Sequence, residues 1–104
     1  MNFIKKLFLV LSVSSLLCLH SFSANACSVK IGSFDWDSAN IHSVIASYIL
    51  ENGYDCDVEI TKGRTNPILA SLIDNKIDII FEHWTDNNVA LIEPELTSGN
   101  LVDL

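Results

Sequence analysis

From Val29 to Phe81 the sequence switches repeatedly between strand-like and helix-like periodicity, and that order restricts the fold more than any other feature. Val29–Phe34 alternates apolar with small or polar residues and reads as a strand. Ile41, Val44, Ile45, Tyr48 and Ile49 fall on one apolar helical face. Asp37 or Ser38 can cap this helix, and Gly53 can end it. Cys56, Val58 and Ile60 then alternate with Asp57, Glu59 and Thr61, the pattern of a half-exposed edge strand. Gly63 marks a turn, Thr65 or Asn66 caps a second helix, and Pro67 suits its start. Ile68, Leu69, Leu72 and Ile73 form that helix's buried face. Ile77–Phe81 is the most apolar strand and is expected near the sheet centre. Thr85 or Asp86 can cap a short helix over Asn88–Ile92, which Pro94 is expected to end. Leu101–Leu104 resembles the start of a fourth strand. The sequence β-α-β-α-β-α-β predicts an α/β fold with a mostly parallel sheet, flanking helices and right-handed crossovers, left incomplete where the sequence stops.

The first 26 residues do not fit this scheme. Lys5 and Lys6 precede an apolar run from Leu7 to Leu19, and Ala24–Asn25–Ala26 follows with small residues at the right spacing. That order predicts a secretory signal peptide over residues 1–26, with residues 27–104 as the domain. An uncleaved N-terminal anchor is the alternative, although the run is shorter than the ~20 residues a spanning helix needs.

Removing Lys5 and Lys6 moves the net charge from −7 to −9, because all 13 acidic residues follow residue 26. A basic surface for nucleic acid or anionic lipid is therefore not expected, nor direct membrane insertion of the mature chain. Cys18 belongs to the signal segment, which leaves Cys27 and Cys56. In an exported chain these can form a disulfide. Cys27 also directly follows the expected cleavage point, where lipoproteins carry an acylated cysteine, so a lipid-anchored form is the alternative. Ala24 and Asn25 match a lipobox poorly.

In open α/β sheets, ligands bind beyond the carboxyl ends of the strands. Three segments are expected there: Phe34–Asp37, Thr61–Thr65 and Glu82–Asp86. The chain's two tryptophans, Trp36 and Trp84, fall in the first and third. If those two strands are neighbours, the rings can form a cage for a quaternary ammonium ion, which donates no hydrogen bond but is attracted to ring faces. Glu82, His83 and Asp86 make a poor metal site, since no second histidine has zinc-site spacing. His83 reads as a solvent-facing loop residue and His42 as a residue on the polar side of its helix. No nucleotide-binding, hydrolase or metalloprotease motif occurs, so no catalytic residue, metal or cofactor is expected.

Val29–Ala39, Tyr48–Tyr54 and Ile77–Trp84, with Thr65–Asn66–Pro67 between, resemble in order the substrate-binding proteins of glycine betaine/proline/choline ABC transporters. The resemblance implies part of the first lobe of a type II-like periplasmic binding protein serving an ABC permease, with a role in osmoprotection. It implies that Trp84, and in some subgroups Trp36, boxes the trimethylammonium group. It also implies a Cys27–Cys56 bridge, because Gly53–Tyr54–Asp55–Cys56 matches a cysteine-containing stretch of one subgroup with Asp55 in place of a glycine. Family members are several-fold longer, so the chain reads as a fragment or a truncated copy. A small exported structural or interaction protein without a ligand is the reading from a different class.

Overall fold

Strand β1 (Ser28–Phe34) has hydrogen-bonded neighbours on both sides and loses nearly all solvent contact in its second half, from Ile31 to Phe34. The structure, a computed structural model, describes residues 27–104; the signal segment read from the sequence lies outside the described residues. Helix α1 (Asp37–Tyr54) follows β1, then strand β2 (Asp57–Gly63), helix α2 (Thr65–Ile73) and a short strand β3 (Ile79–Ile80). A 3₁₀ turn (Thr85–Asn87) and helix α3 (Val89–Ser98) complete the order. The sheet runs β2-β1-β3, all parallel. Ser28 to Phe34 pairs with Asp57 to Gly63 on one side, and Ile31 and Gly32 pair with Ile79 and Ile80 on the other.

Side chains alternate between the two faces of a strand, so β1 serves both layers. Ser33 points to the α1 side, where its hydroxyl donates to Asn40 Oδ1 at 3.3 Å. Gly32 and Phe34 point to the α2 side. A Cβ on Gly32 would lie 2.9 Å from methyl groups of both Ile68 and Ile80, so the absence of a side chain there sets how closely α2 and β3 approach. Phe34, Ala39, Ile68, Leu69, Ile77 and Ile92 form the core, with Leu72, Leu96 and Leu101 packed against it. Each fully buried large side chain of this set contributes about 1.5–3 kcal/mol relative to an exposed one.

Several sequence expectations are corrected. The central strand is β1, and Ile77–Phe81 contributes only the two-residue β3 at the far side. An apolar run cannot distinguish a centre from an edge, whereas small residues such as Gly32 and Ser33 admit a layer on each face. The apolar stripe on α1 does not meet the sheet: Ile41, Val44, Ile45, Tyr48 and Ile49 are 51–67% exposed. The helix instead buries Ala39 and Ser43, whose small side chains let it lie close on the strands. Neither Asp37 nor Ser38 caps α1; Trp36 occupies the cap position without a side-chain bond. The helix runs past Gly53 to Tyr54, and Asp55 takes the left-handed ending at φ 54°. Similarly, Arg64 holds the α2 cap position and Thr65 and Asn66 lie inside the first turn, with Pro67 third, where its missing N–H costs no helical bond. Pro94 lies within α3, which continues to Ser98 and ends on Gly99 at φ 79°. Its ring faces solvent, so water can meet the carbonyl it leaves free. Leu101–Leu104 forms no strand; Leu101 packs on the core instead.

Cys27 and Cys56 are joined by a disulfide with Cα atoms 4.4 Å apart, at the N-terminal ends of β1 and β2. The bridge closes a separation of 29 residues, and chain-entropy reasoning gives such a loop a stabilisation of about 3–4 kcal/mol. A fold this small has little margin, so the effect of removal is large. Cys56→Ser is expected to lower the unfolding free energy by about 3 kcal/mol in urea titrations. The oxidised wild type is expected to weigh two hydrogens less than its reduced form, and two free thiols in the native protein would contradict the bridge.

Candidate functional site

The site is built where β1 and β3 end. Leaving β1, Phe34 is buried, Asp35 is exposed, and Trp36 turns back so that its ring stacks on Phe34 with centroids 4.6 Å apart and planes 11° apart. Such a pair adds about 0.5–1.5 kcal/mol beyond its burial and limits the freedom of the outer ring. The backbone of this turn is held by Asn40, whose amide donates to the Trp36 carbonyl at 2.8 Å and to the Phe34 carbonyl at 3.4 Å. Asn40 was not singled out from the sequence. Its only signal there is an amide side chain one helical turn after a loop tryptophan.

The chain leaving β3 changes direction at Glu82, which has a left-handed backbone at φ 61°. A side chain in that region ordinarily costs of order 1 kcal/mol or more and persists when its surroundings hold it. Here the surroundings are two residues of α1. Ser38 Oγ donates to Glu82 Oε1 at 2.8 Å, and His42 Nδ1 lies 3.4 Å from Glu82 Oε2. The next residues, His83 and Trp84, face the site, and the Trp84 carbonyl accepts from Asn87 N–H at 3.3 Å to start the 3₁₀ turn.

These loops enclose one side of an open, mostly apolar cavity of about 380 Å³ lined by Trp36, Thr65, His83, Trp84, Asn87 and Asn88. That volume lies within the range of small-molecule sites. The structure therefore brings Trp36 and Trp84 to one cavity, as expected if β1 and β3 are neighbours. Trp36 is half-buried, while Trp84 remains 63% exposed. His83 is not the solvent-facing residue expected: it lines the cavity 6.3 Å from the Phe34 ring, and its Nε2 is buried without a hydrogen bond. His42 is not a bystander either, since it pairs with Glu82. Thr65 enters the cavity from the start of α2. Of the second loop segment, Lys62 and Gly63 belong to β2, which leaves Arg64 alone as the link to α2. Among the described residues, no cluster of three or more His, Cys, Asp or Glu could hold a metal ion, and no helix is long and apolar enough to cross a membrane.

The Glu82 carboxyl group is held below its ordinary value of 4.5. The Ser38 hydrogen bond is the main cause; partial burial opposes it, and the indole N–H groups of Trp84 and Trp36 and the charge of His42 reinforce it. Folding thus favours the ionised form.

An α/β layer carrying an open, aromatic-lined cavity at the carboxyl ends of its strands is the architecture of a small-molecule binding lobe. The sequence matches, over residues 27–103, the family described as the substrate binding domain of ABC-type glycine betaine transport systems, and the chain belongs to that family. It is a substrate-binding component of an ABC transporter. No curated protein and no solved structure matches it.

The lowered value at Glu82 makes a pH prediction with a definite sign. The stabilisation is complete above 4.5, the unfolded value, and is lost as pH falls through the lower folded value. In denaturant titrations across pH, wild type minus Glu82→Gln is expected to show a constant stability difference near neutrality that shrinks below pH 4.5. A difference independent of pH would contradict the assignment.

Proposed function

We propose that this chain captures a quaternary ammonium compound of the glycine betaine or choline type for an ABC importer, with Trp36 and Trp84 as walls of the ligand cage. The observation that carries this reading is the placement of both rings on one cavity, Trp36 stacked on Phe34 and Trp84 open to solvent. A trimethylammonium group cannot donate hydrogen bonds and has a weak hydration shell. Indole faces attract it through their quadrupole while excluding water, and Trp is the most effective ring for this purpose. The exposed acids Asp35, Asp37 and Asp86, at and beside the two tryptophan loops, add a negative field that favours a cation there. The role is one of binding and delivery to a permease, without catalysis. We further propose that residues 1–26 are a signal peptide and that the chain works in the periplasm, unacylated.

The cavity wall described above covers one side of a ligand. Two ring faces at about 2 kcal/mol each correspond to a dissociation constant near ~1 mM, before the cost of ordering the loops. Micromolar capture requires a second surface closing over the exposed face of Trp84. Calorimetry of this chain with glycine betaine is therefore expected to show little heat. A two-lobed protein containing this segment is expected to bind it. There Trp84→Ala is expected to weaken binding more than Trp36→Ala, because loss of the Trp36 ring uncovers the Phe34 ring stacked beneath it. Micromolar binding by the chain alone, or normal binding by the Trp84→Ala two-lobed protein, would overturn the cage.

Export has its own check. N-terminal sequencing of the mature protein is expected to read Cys-Ser-Val-Lys, and an intact Met1 in the membrane fraction would contradict it.

A further inference from the structure

The outward side of α1 is apolar and uncharged. Ile41, Val44, Ile45, Tyr48 and Ile49 are 51–67% exposed, and residues 38–50 include no Asp, Glu, Lys or Arg. A helix side that meets only water ordinarily carries charged and polar residues. The bare stretch is the more unusual because residues 27–104 hold all 13 acidic residues of the chain. We propose that this stripe is the seam of a homodimer, with α1 of one copy packed against α1 of a second copy across a two-fold axis near Ile45. The proposal is independent of the ligand reading, and none of the five stripe residues lines the tryptophan cavity.

The direction of the stripe decides what can cover it. Ala39 and Ser43 are the buried residues of α1, and a position two residues further on lies about 200° round the helix. Ile41 and Ile45 therefore point away from the sheet. An additional element of the same layer would lie beside α1, in the apolar groove between the helix and β3 lined by Ile79 and Phe81. It would leave most of the outward stripe bare, because the layers of an α/β unit end at its helices. The cover for the stripe comes from another molecule. Half of a large side chain is roughly 100 Å², so the stripe offers about 500 Å² per copy and about 1,000 Å² in a pair, the size at which a specific interface begins. A two-fold interface must be complementary to itself, and a stripe of aliphatic residues centred on Ile45 meets that condition. The nearest acids on α1, Asp37 and Glu51, stay at the two ends of the stripe. A lipid surface fits less well: α1 has no Lys or Arg, which helices lying on membranes use to hold headgroups.

Sedimentation equilibrium of the chain and its variants tests the seam, with far-ultraviolet circular dichroism as the check on folding. The wild type is expected to show a concentration-dependent dimer that tightens as salt screens the repulsion between two acidic copies. Ile45→Glu places like charges together at the centre of the seam and is expected to weaken the dimer about tenfold or more at unchanged helix content. Val102→Glu adds the same charge at a residue that is 74% exposed and outside α1, and is expected to dimerise like the wild type. A wild type that sediments as a monomer across the accessible concentration range would overturn the proposal. Binding of that monomer to phosphatidylcholine vesicles would then assign the stripe to a membrane surface. A dimer that loosens with salt, or one weakened equally by Ile45→Glu and Val102→Glu, would place the association elsewhere and also overturn it. So would a folded Ile45→Glu protein that dimerises like the wild type. Should that variant not fold, Tyr48→Ser, which only shortens an exposed side chain, is expected to weaken the dimer, and an unchanged dimer there would be equally decisive against the seam.

Discussion

The double-sided burial of β1 is the constraint on which the rest depends. Its residues Ile31–Phe34 pair with a parallel strand on each side and meet a helix on each face. Gly32 permits this, because any side chain there would collide with Ile68 and Ile80. With α2 and β3 drawn in, Phe34 becomes the last buried residue before the chain emerges, and it forms the floor on which Trp36 stacks. The loop after β3 must then emerge beside the loop after β1, which is the condition for a shared cavity.

The polar groups of the site support this geometry more than they offer chemistry. Asn40 secures the Phe34–Trp36 turn and Ser38 and His42 secure Glu82, all from the first two turns of α1. One helix start therefore registers both tryptophan loops. Asp78 does similar work at the entrance to β3, where its carboxylate accepts from the Lys30 N–H at 2.7 Å and its own N–H donates to the Lys30 carbonyl at 2.8 Å. A side chain thus extends a ladder that is only two residues long. The opposite side of the molecule is less finished: the apolar stripe of α1 stays exposed, beside an apolar groove lined by Ile49, Leu50, Ile79 and Phe81. That surface is uncovered among the described residues.

Much of the fold was legible because its signals are local. Apolar periodicity located α1, α2 and the β1 and β2 strands within a few residues, and of the face read for α2, Ile68 and Leu69 are buried, Leu72 packs on the core and Ile73 is half-buried. The errors share a cause. Hydropathy marks the stripe Ile41–Ile49 and the run Ile77–Phe81 for burial, whereas Ala39, Ser43, Gly32 and Ser33 decide the packing through small size. A hydrophobic pattern records what could be buried; close approach of backbones depends on what is absent.

By itself the sequence determined the alternation of strands and helices as far as the last helix, a parallel α/β layer, the placement of both tryptophans at strand ends and the spacing of Cys27 and Cys56. Each follows from near neighbours or from topology rules that a short chain cannot evade. Only the tertiary structure decided that β1 is central, that α1 turns its small face inward, that His83 lines the cavity, and that Glu82 meets Ser38 and His42 across 44 and 40 positions of chain. Those pairings rest on the left-handed turn at Glu82 and on the register of β3 against β1. Both are settled by packing between segments far apart in sequence, where no local pattern carries the information.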